Sequence, residues 1–127
     1  MKLDIDCVRD VLLEFEEFPM GDYNVSSFTK TVEKYGYENT LYTLAKLYEA
    51  NYINGEIAAD EGGYYHCLVI YDITFHGHEF LSTIRHPNVW QRLKDATLEG
   101  GTASLKVIGD IALEVAKLAV SKKLGLQ

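Results

Sequence analysis

The stretch Glu38-Asn39-Thr40-Leu41-Tyr42-Thr43-Leu44-Ala45-Lys46-Leu47-Tyr48-Glu49-Ala50 leads through Asn51 into Tyr52-Ile53-Asn54-Gly55-Glu56-Ile57. An acidic, glycine-rich tip follows, and then a run from Tyr64 to Phe75. Leu41, Leu44, Leu47 and Tyr48 fall on one helical face with Ala45 as a close-packing position, so 38–50 reads as a helix. Asn51 stands just past its last turn, where a left-handed residue is wanted and Asn is the best substitute for Gly. Tyr65, Cys67, Val69, Tyr71, Ile73 and Phe75 alternate with Tyr64, His66, Leu68, Ile70, Asp72 and Thr74. That period of two predicts a long strand, apolar on both faces in its first half. The turn at Ala58 to Gly63 pairs it with the strand after Tyr52 as a β-ribbon. Beyond Phe75, Gly77-His78-Glu79-Phe80-Leu81-Ser82-Thr83-Ile84-Arg85 restarts a helix.

Upstream, Ile5, Val8, Leu12 and Phe15 share one face of a helix from Asp4 to Glu17, with Asp4 as its N-cap and Pro19 and Gly21 as its stop. Residues 22–36 are rich in β-branched and aromatic side chains, which favours a strand around 28–33. A short helix capped by Ser26 or Ser27 is the alternative. Downstream, Pro87 interrupts the helix and Val89 to Asp95 continues as another. Gly100-Gly101 is a break, and Thr102 caps one long helix reaching about Lys123. The polar stripe of that helix is narrow (Lys106, Asp110, Glu114, Lys117 and Ser121), so it requires cover from more than one side. The expected fold is α+β: a winged helix-turn-helix core (helix, short strand, helix, β-ribbon) over 1–86, with C-terminal helices over 87–127 packing on that core or on a second subunit.

A chain of 127 residues is about one domain. Charged residues interrupt the N-terminus, which argues against a signal peptide, and no window holds about 18 apolar residues, so no membrane span and a cytoplasmic address are expected. The net charge of −7 is unevenly placed: residues 1–63 carry five Lys/Arg against thirteen Asp/Glu, and residues 64–127 carry seven against six. An acidic first half is a poor footprint for a nucleic-acid backbone, whose binding rests on neutralising phosphates.

The residues that invite chemistry have plainer readings. Cys7 and Cys67 read as core hydrophobes rather than a redox pair. Glu14, Glu16 and Glu17 read as a solvated helix face rather than catalytic carboxylates. His76-Gly77-His78-Glu79, with His66, Cys67 and His86 nearby, lacks the three or four converging ligands that zinc needs. No phosphate-binding glycine loop or nucleophile elbow occurs. No catalytic residue, metal or cofactor is therefore expected. The nine tyrosines suit half-buried sites and interfaces.

Four motifs carry a family resemblance: Met1-Lys2-Leu3-Asp4-Ile5-Asp6 with Val11-Leu12-Leu13-Glu14; Leu44, Leu47 and Glu49-Ala50-Asn51-Tyr52-Ile53; Ile73-Thr74-Phe75-His76-Gly77-His78-Glu79-Phe80-Leu81 with Ile84-Arg85; and Val89-Trp90. In these the chain resembles a bacterial and phage family, domain-of-unknown-function family 2513. It departs at Asn51, where Gly is usual, and at Thr43, where a histidine often follows the tyrosine. The resemblance implies a winged-helix-like fold and brings no activity with it.

Two functions compete. The helix 38–50 reads a DNA groove with Lys30, Lys34 and Lys46 on phosphates, or the same surface meets a protein partner. The contact residues for either are Lys30, Lys34, Tyr42, Thr43, Lys46, Tyr64 and Tyr65. The acidic charge favours the protein partner. The last helix adds the expectation of a homodimer through Ile111, Val115, Leu118 and Ala119.

Overall fold

The computed structural model describes residues 1–59, 61–62, 65–100 and 105–125; the side chains of 65–67, 96–100, 115, 116 and 119 lie outside that description. The described elements are α1 (Ile5–Glu16), a 3-10 turn (Val25–Ser27), α2 (Thr29–Tyr35), α3 (Tyr37–Glu49), β1 (Ile53–Ala59), β2 (Tyr65–Ile73), α4 (Phe75–Ile84), α5 (Pro87–Gly100) and α6 (Leu105–Lys123). The fold is mixed α+β with one two-stranded antiparallel sheet. No described helix is long and apolar enough to cross a membrane.

Helix α1 starts where the sequence places it: the Asp4 carboxylate accepts from the backbone N–H groups of Asp6 at 2.9 Å and Cys7 at 3.4 Å. Its apolar face, Cys7, Val8, Val11, Leu12 and Phe15, is buried. Phe15, Phe18, Tyr23 and Phe28 close that end of the core edge to face or tilted, with centroids 4.7 to 6.2 Å apart.

The strand expected around 28–33 is instead α2. Its β-branched residues Thr29, Thr31 and Val32 favour extended backbone, yet Glu14 of α1 overrides that preference. The Glu14 carboxylate accepts from the N–H of Lys30 at 3.0 Å, the N–H of Thr31 at 2.9 Å and the Thr31 hydroxyl at 2.7 Å. A cap delivered from another helix satisfies the orphan donors that α2, lacking a side-chain cap of its own, would leave bare. The extended backbone lies further upstream, where Tyr23 forms an isolated antiparallel bridge with Ile70, its N–H and C=O each bonded at 2.8 Å. Gly36, at φ +90°, is the hinge from α2 into α3.

Helix α3 ends in a Schellman arrangement. Asn51 takes φ +64°, its N–H bonds the carbonyl of Tyr48 at 3.0 Å, and the N–H of Tyr52 bonds the carbonyl of Leu47 at 2.9 Å. The ribbon then pairs Ile53 with Ile73 and Asn54 with Asp72, shifts register, and resumes with Gly55 opposite Ile70. Tyr71 is the extra residue of that bulge, and a Cβ on Gly55 would collide with the carbonyl of Val69.

Tyr52 joins the end of α3 to α4 and α6. Its carbonyl accepts from the N–H of Thr74 at 3.0 Å, tying the end of α3 to the start of α4. Its ring stacks on Phe80 at 4.7 Å and on His76 at 4.6 Å. Its hydroxyl donates to the Leu105 carbonyl at 3.5 Å, at the foot of α6. Two glycines admit it: a Cβ on Gly77 would strike the Tyr52 carbonyl, and one on Gly109 would lie 2.5 Å from its hydroxyl.

Helices α5 and α6 form a hairpin, with His86, Val89 and Arg92 at the start of α5 facing Leu118 and Lys122 at the end of α6. The core is continuous across residue 86: Trp90, Leu93, Leu105, Ile108 and Ala112 join Val8, Leu47, Ile70 and Leu81 in one cluster. Polar latches reinforce this. Arg9 donates to the carbonyls of Ile84 and Arg85 at 3.0 Å each, capping the end of α4. Trp90 Nε1 donates to Asp6 at 3.2 Å, and Arg85 forks onto Glu16 at 2.6 and 2.5 Å. Glu14 and Glu16 are thus cap and latch rather than a purely solvated face, because α2 begins and α4 ends against the side of α1 that carries them.

Gly77→Ala is expected to destabilise the fold by at least about 2 kcal/mol in urea titration, since its methyl group meets backbone that cannot yield. The Arg85 guanidinium, hydrogen-bonded to Glu16, holds that carboxyl below the usual carboxylate range. A lowered folded-state pKa contributes stability above the unfolded carboxylate range and loses it as pH falls through the folded value. The stability gap between wild type and Glu16→Gln is therefore expected to be full near neutral pH and to close on acidification. A gap that stays constant with pH would contradict this.

Candidate interaction surface

The contact residues expected from sequence divide among three elements. Lys30 and Lys34 lie exposed on α2, and Tyr42 and Lys46 lie half-buried on α3. Thr43 is in the interior, 1% exposed. Its hydroxyl donates to the Asn39 carbonyl at 2.7 Å and lies 3.3 Å from the Cys7 Sγ, so it is a core residue and not a contact. The helical spacing of 43 and 47 puts Thr43 on the buried side with Leu47. Tyr64 lies outside the described residues; Tyr65 contributes its backbone to β2, and its side chain lies outside them.

The lysines are committed within the chain. Lys34 Nζ pairs with Asp10 at 3.0 Å, and that hydrogen bond raises the lysine pKa. Tyr35 donates to the same carboxylate at 2.6 Å; burial first, and then that bond, push its phenol up. Lys46 pairs with Glu49 at 2.9 Å while its ammonium sits 5.3 Å from the centroid of the Tyr42 ring. Among the described residues Lys30 alone of the three makes no ion pair, and it borders a groove shared with Glu14 and Glu17. The N–H groups at the start of α2, which could otherwise hold an anion, are occupied by Glu14. On the exposed face of α3, Glu38, Asn39 and Glu49 surround Tyr42 and Lys46, so the face is not a basic one.

The histidine pair diverges across α4. His76 stacks on Tyr52, whereas His78, two residues on, falls on the opposite side of the helix. Among the described residues no group of three His, Cys, Asp or Glu is placed to hold a metal ion. Cys7 is fully buried, and burial pushes its thiol up to about 11, which leaves it protonated and poorly nucleophilic at neutral pH.

On α6, Ile111 packs partly buried against the core while Leu118 is 68% exposed. The side chains of Val115 and Ala119 lie outside the described residues. One feature escaped the sequence reading: a groove of about 760 Å³ between α4 and α6, with Tyr52, Phe80, Gly109 and Leu113 in its walls and Glu79, Lys106 and Asp110 among its polar residues. Its signal was Gly109, a lone glycine outside the polar stripe of α6, which marks a close approach.

No curated protein and no solved structure is detectably similar to the chain. The family model described as Hypothetical protein (DUF2513) matches residues 2–103, which span α1 through α5 and every contact made by Glu14, Arg9 and the ring of Tyr52 on α4. By that match the chain belongs to domain-of-unknown-function family 2513.

Proposed function

We propose that this chain is a non-enzymatic winged-helix module whose α3 face binds a protein partner in preference to DNA. The winged-helix reading draws on element order: α1, the Tyr23 bridge, α2, α3 and the β1–β2 ribbon follow one another as helix, strand, helix, helix and wing. That order by itself also suits a helix that enters a DNA groove, since function lives in the site and not in the fold.

The observation that carries the preference is electrostatic. Glu14 fills the N-terminal amides of α2, Asp10 takes Lys34 and Glu49 takes Lys46. A DNA phosphate would have to displace carboxylates from all three positions and would then face Glu38 and Glu49. Each displaced carboxylate adds repulsion where DNA binding needs released counterions and paired phosphates. Tyr42 offers a protein partner rigid aromatic area at low entropic cost.

Fluorescence anisotropy with labelled random-sequence and genomic duplexes tests this reading. At low salt the chain is expected to show only weak binding, without sequence preference and lost as salt rises. Nanomolar affinity for one sequence at physiological salt would overturn it. Photo-crosslinking from position 42 should in turn capture a protein, and Glu38→Lys should abolish that capture without unfolding the chain.

A further inference from the structure

We propose that the α4–α6 groove receives α6 of a second copy of this chain, in an antiparallel pairing about a two-fold axis. This surface is separate from the α3 face and stands whether or not that face binds a protein.

The occupant follows from α6 itself. Leu113 and Val120 on α6 and Leu124 just past its end recur at spacings of seven and four. The N–H of Leu124 still bonds the Val120 carbonyl at 2.9 Å, so the three lie along one side, and they are 50%, 56% and 67% exposed. Leu113 is also part of the groove wall, beside Gly109 and Phe80. Leu113 belongs to both, so the stripe leads into the groove, the arrangement an isologous interface uses, in which each copy supplies both ridge and recess. At 1.5 Å per residue, the stripe from Leu113 to Leu124 extends roughly 16 Å.

Charge sets the direction. Within the stretch 110–123 of α6, Asp110 and Glu114 come first, and Lys117, Lys122 and Lys123 follow. A parallel pairing would set like charges level with one another, whereas an antiparallel one sets the acidic part of each helix against the basic part of the other. A register that brings Val120 over the partner's groove floor at Gly109 leaves Asp110 and the second copy's lysine at 117 within about one turn, on the same side of the seam. The two-fold repeats that pair. Lys106 would face the partner's basic end, and Glu79, on the other wall of the groove, offsets it. Lys117 lies 3.8 Å from Glu114 in its own chain, an exposed contact that leaves it able to bridge outward.

Sedimentation equilibrium and light scattering of the full chain over a concentration series test the pairing. Wild type is expected to dimerise, and Leu113→Glu and Val120→Glu to give monomers with unchanged circular dichroism and melting temperature, because both side chains are exposed in the single chain. Asp110→Lys and Lys117→Asp are each expected to weaken the dimer roughly tenfold, and the double variant to recover the loss. A wild-type monomer up to several hundred micromolar would overturn the proposal and leave the groove to a partner of different sequence. A dimer indifferent to the Leu113 and Val120 substitutions, or no recovery in the double charge reversal, would overturn it equally.

Discussion

The buried Tyr52 is the joint on which the remaining elements hang. It follows the left-handed turn at Asn51, so its direction is set by the end of α3, and its carbonyl then receives the first amide before α4. Its ring lies on α4 and its hydroxyl reaches α6. Burial raises the pKa of that phenol, with Asp110 adding to the effect, so the hydroxyl stays protonated and able to donate. Two glycines lie against it for different reasons: Gly77 is bare because the backbone carbonyl of residue 52 occupies the place of its Cβ, and Gly109 because the tyrosine hydroxyl does. A large aromatic that satisfies its own polar tip can bridge three helices without leaving a void or an unpaired group.

A second constraint runs through α1. Its carboxylates are spent on neighbouring backbone and cations: Asp4 on its own first turn, Asp6 on Trp90, Asp10 on Lys34 and Tyr35, Glu14 on α2 and Glu16 on Arg85. An acidic helix at the centre of a helical domain thus caps one neighbour and latches another. The net charge of the first half is for this reason a poor guide to its surface potential taken alone; what matters outside is that Asp10 also takes Lys34 of α2.

Much of the framework was legible in residues. The Asp4 cap, the stripe of α3, the stop at Asn51 and the alternation of β2 are local rules, in which a residue and its near neighbours in the chain settle the backbone. Reading 28–33 as a strand failed because the deciding group, Glu14, is on another helix. Thr43 was read as a contact although the period of α3 already turned it inward beside Leu47, so that error lay in weighing residue type above position.

Sequence by itself determined the order of helices and strands outside 22–36, the acidic imbalance and the family, because each depends on short-range pattern or on residue identity. Bounds moved, since α5 runs from Pro87 through Gly100 rather than over 89–95, and Phe75 begins α4 rather than ending the strand. Only the tertiary structure decided that Asp10 of α1 takes Lys34, that the amides of α2 are already filled and that α4 and α6 enclose a groove. The physical reason is common to all three. Ion pairs, borrowed caps and grooves form between segments distant in the chain, and their energies depend on a few ångströms of separation that no periodicity encodes.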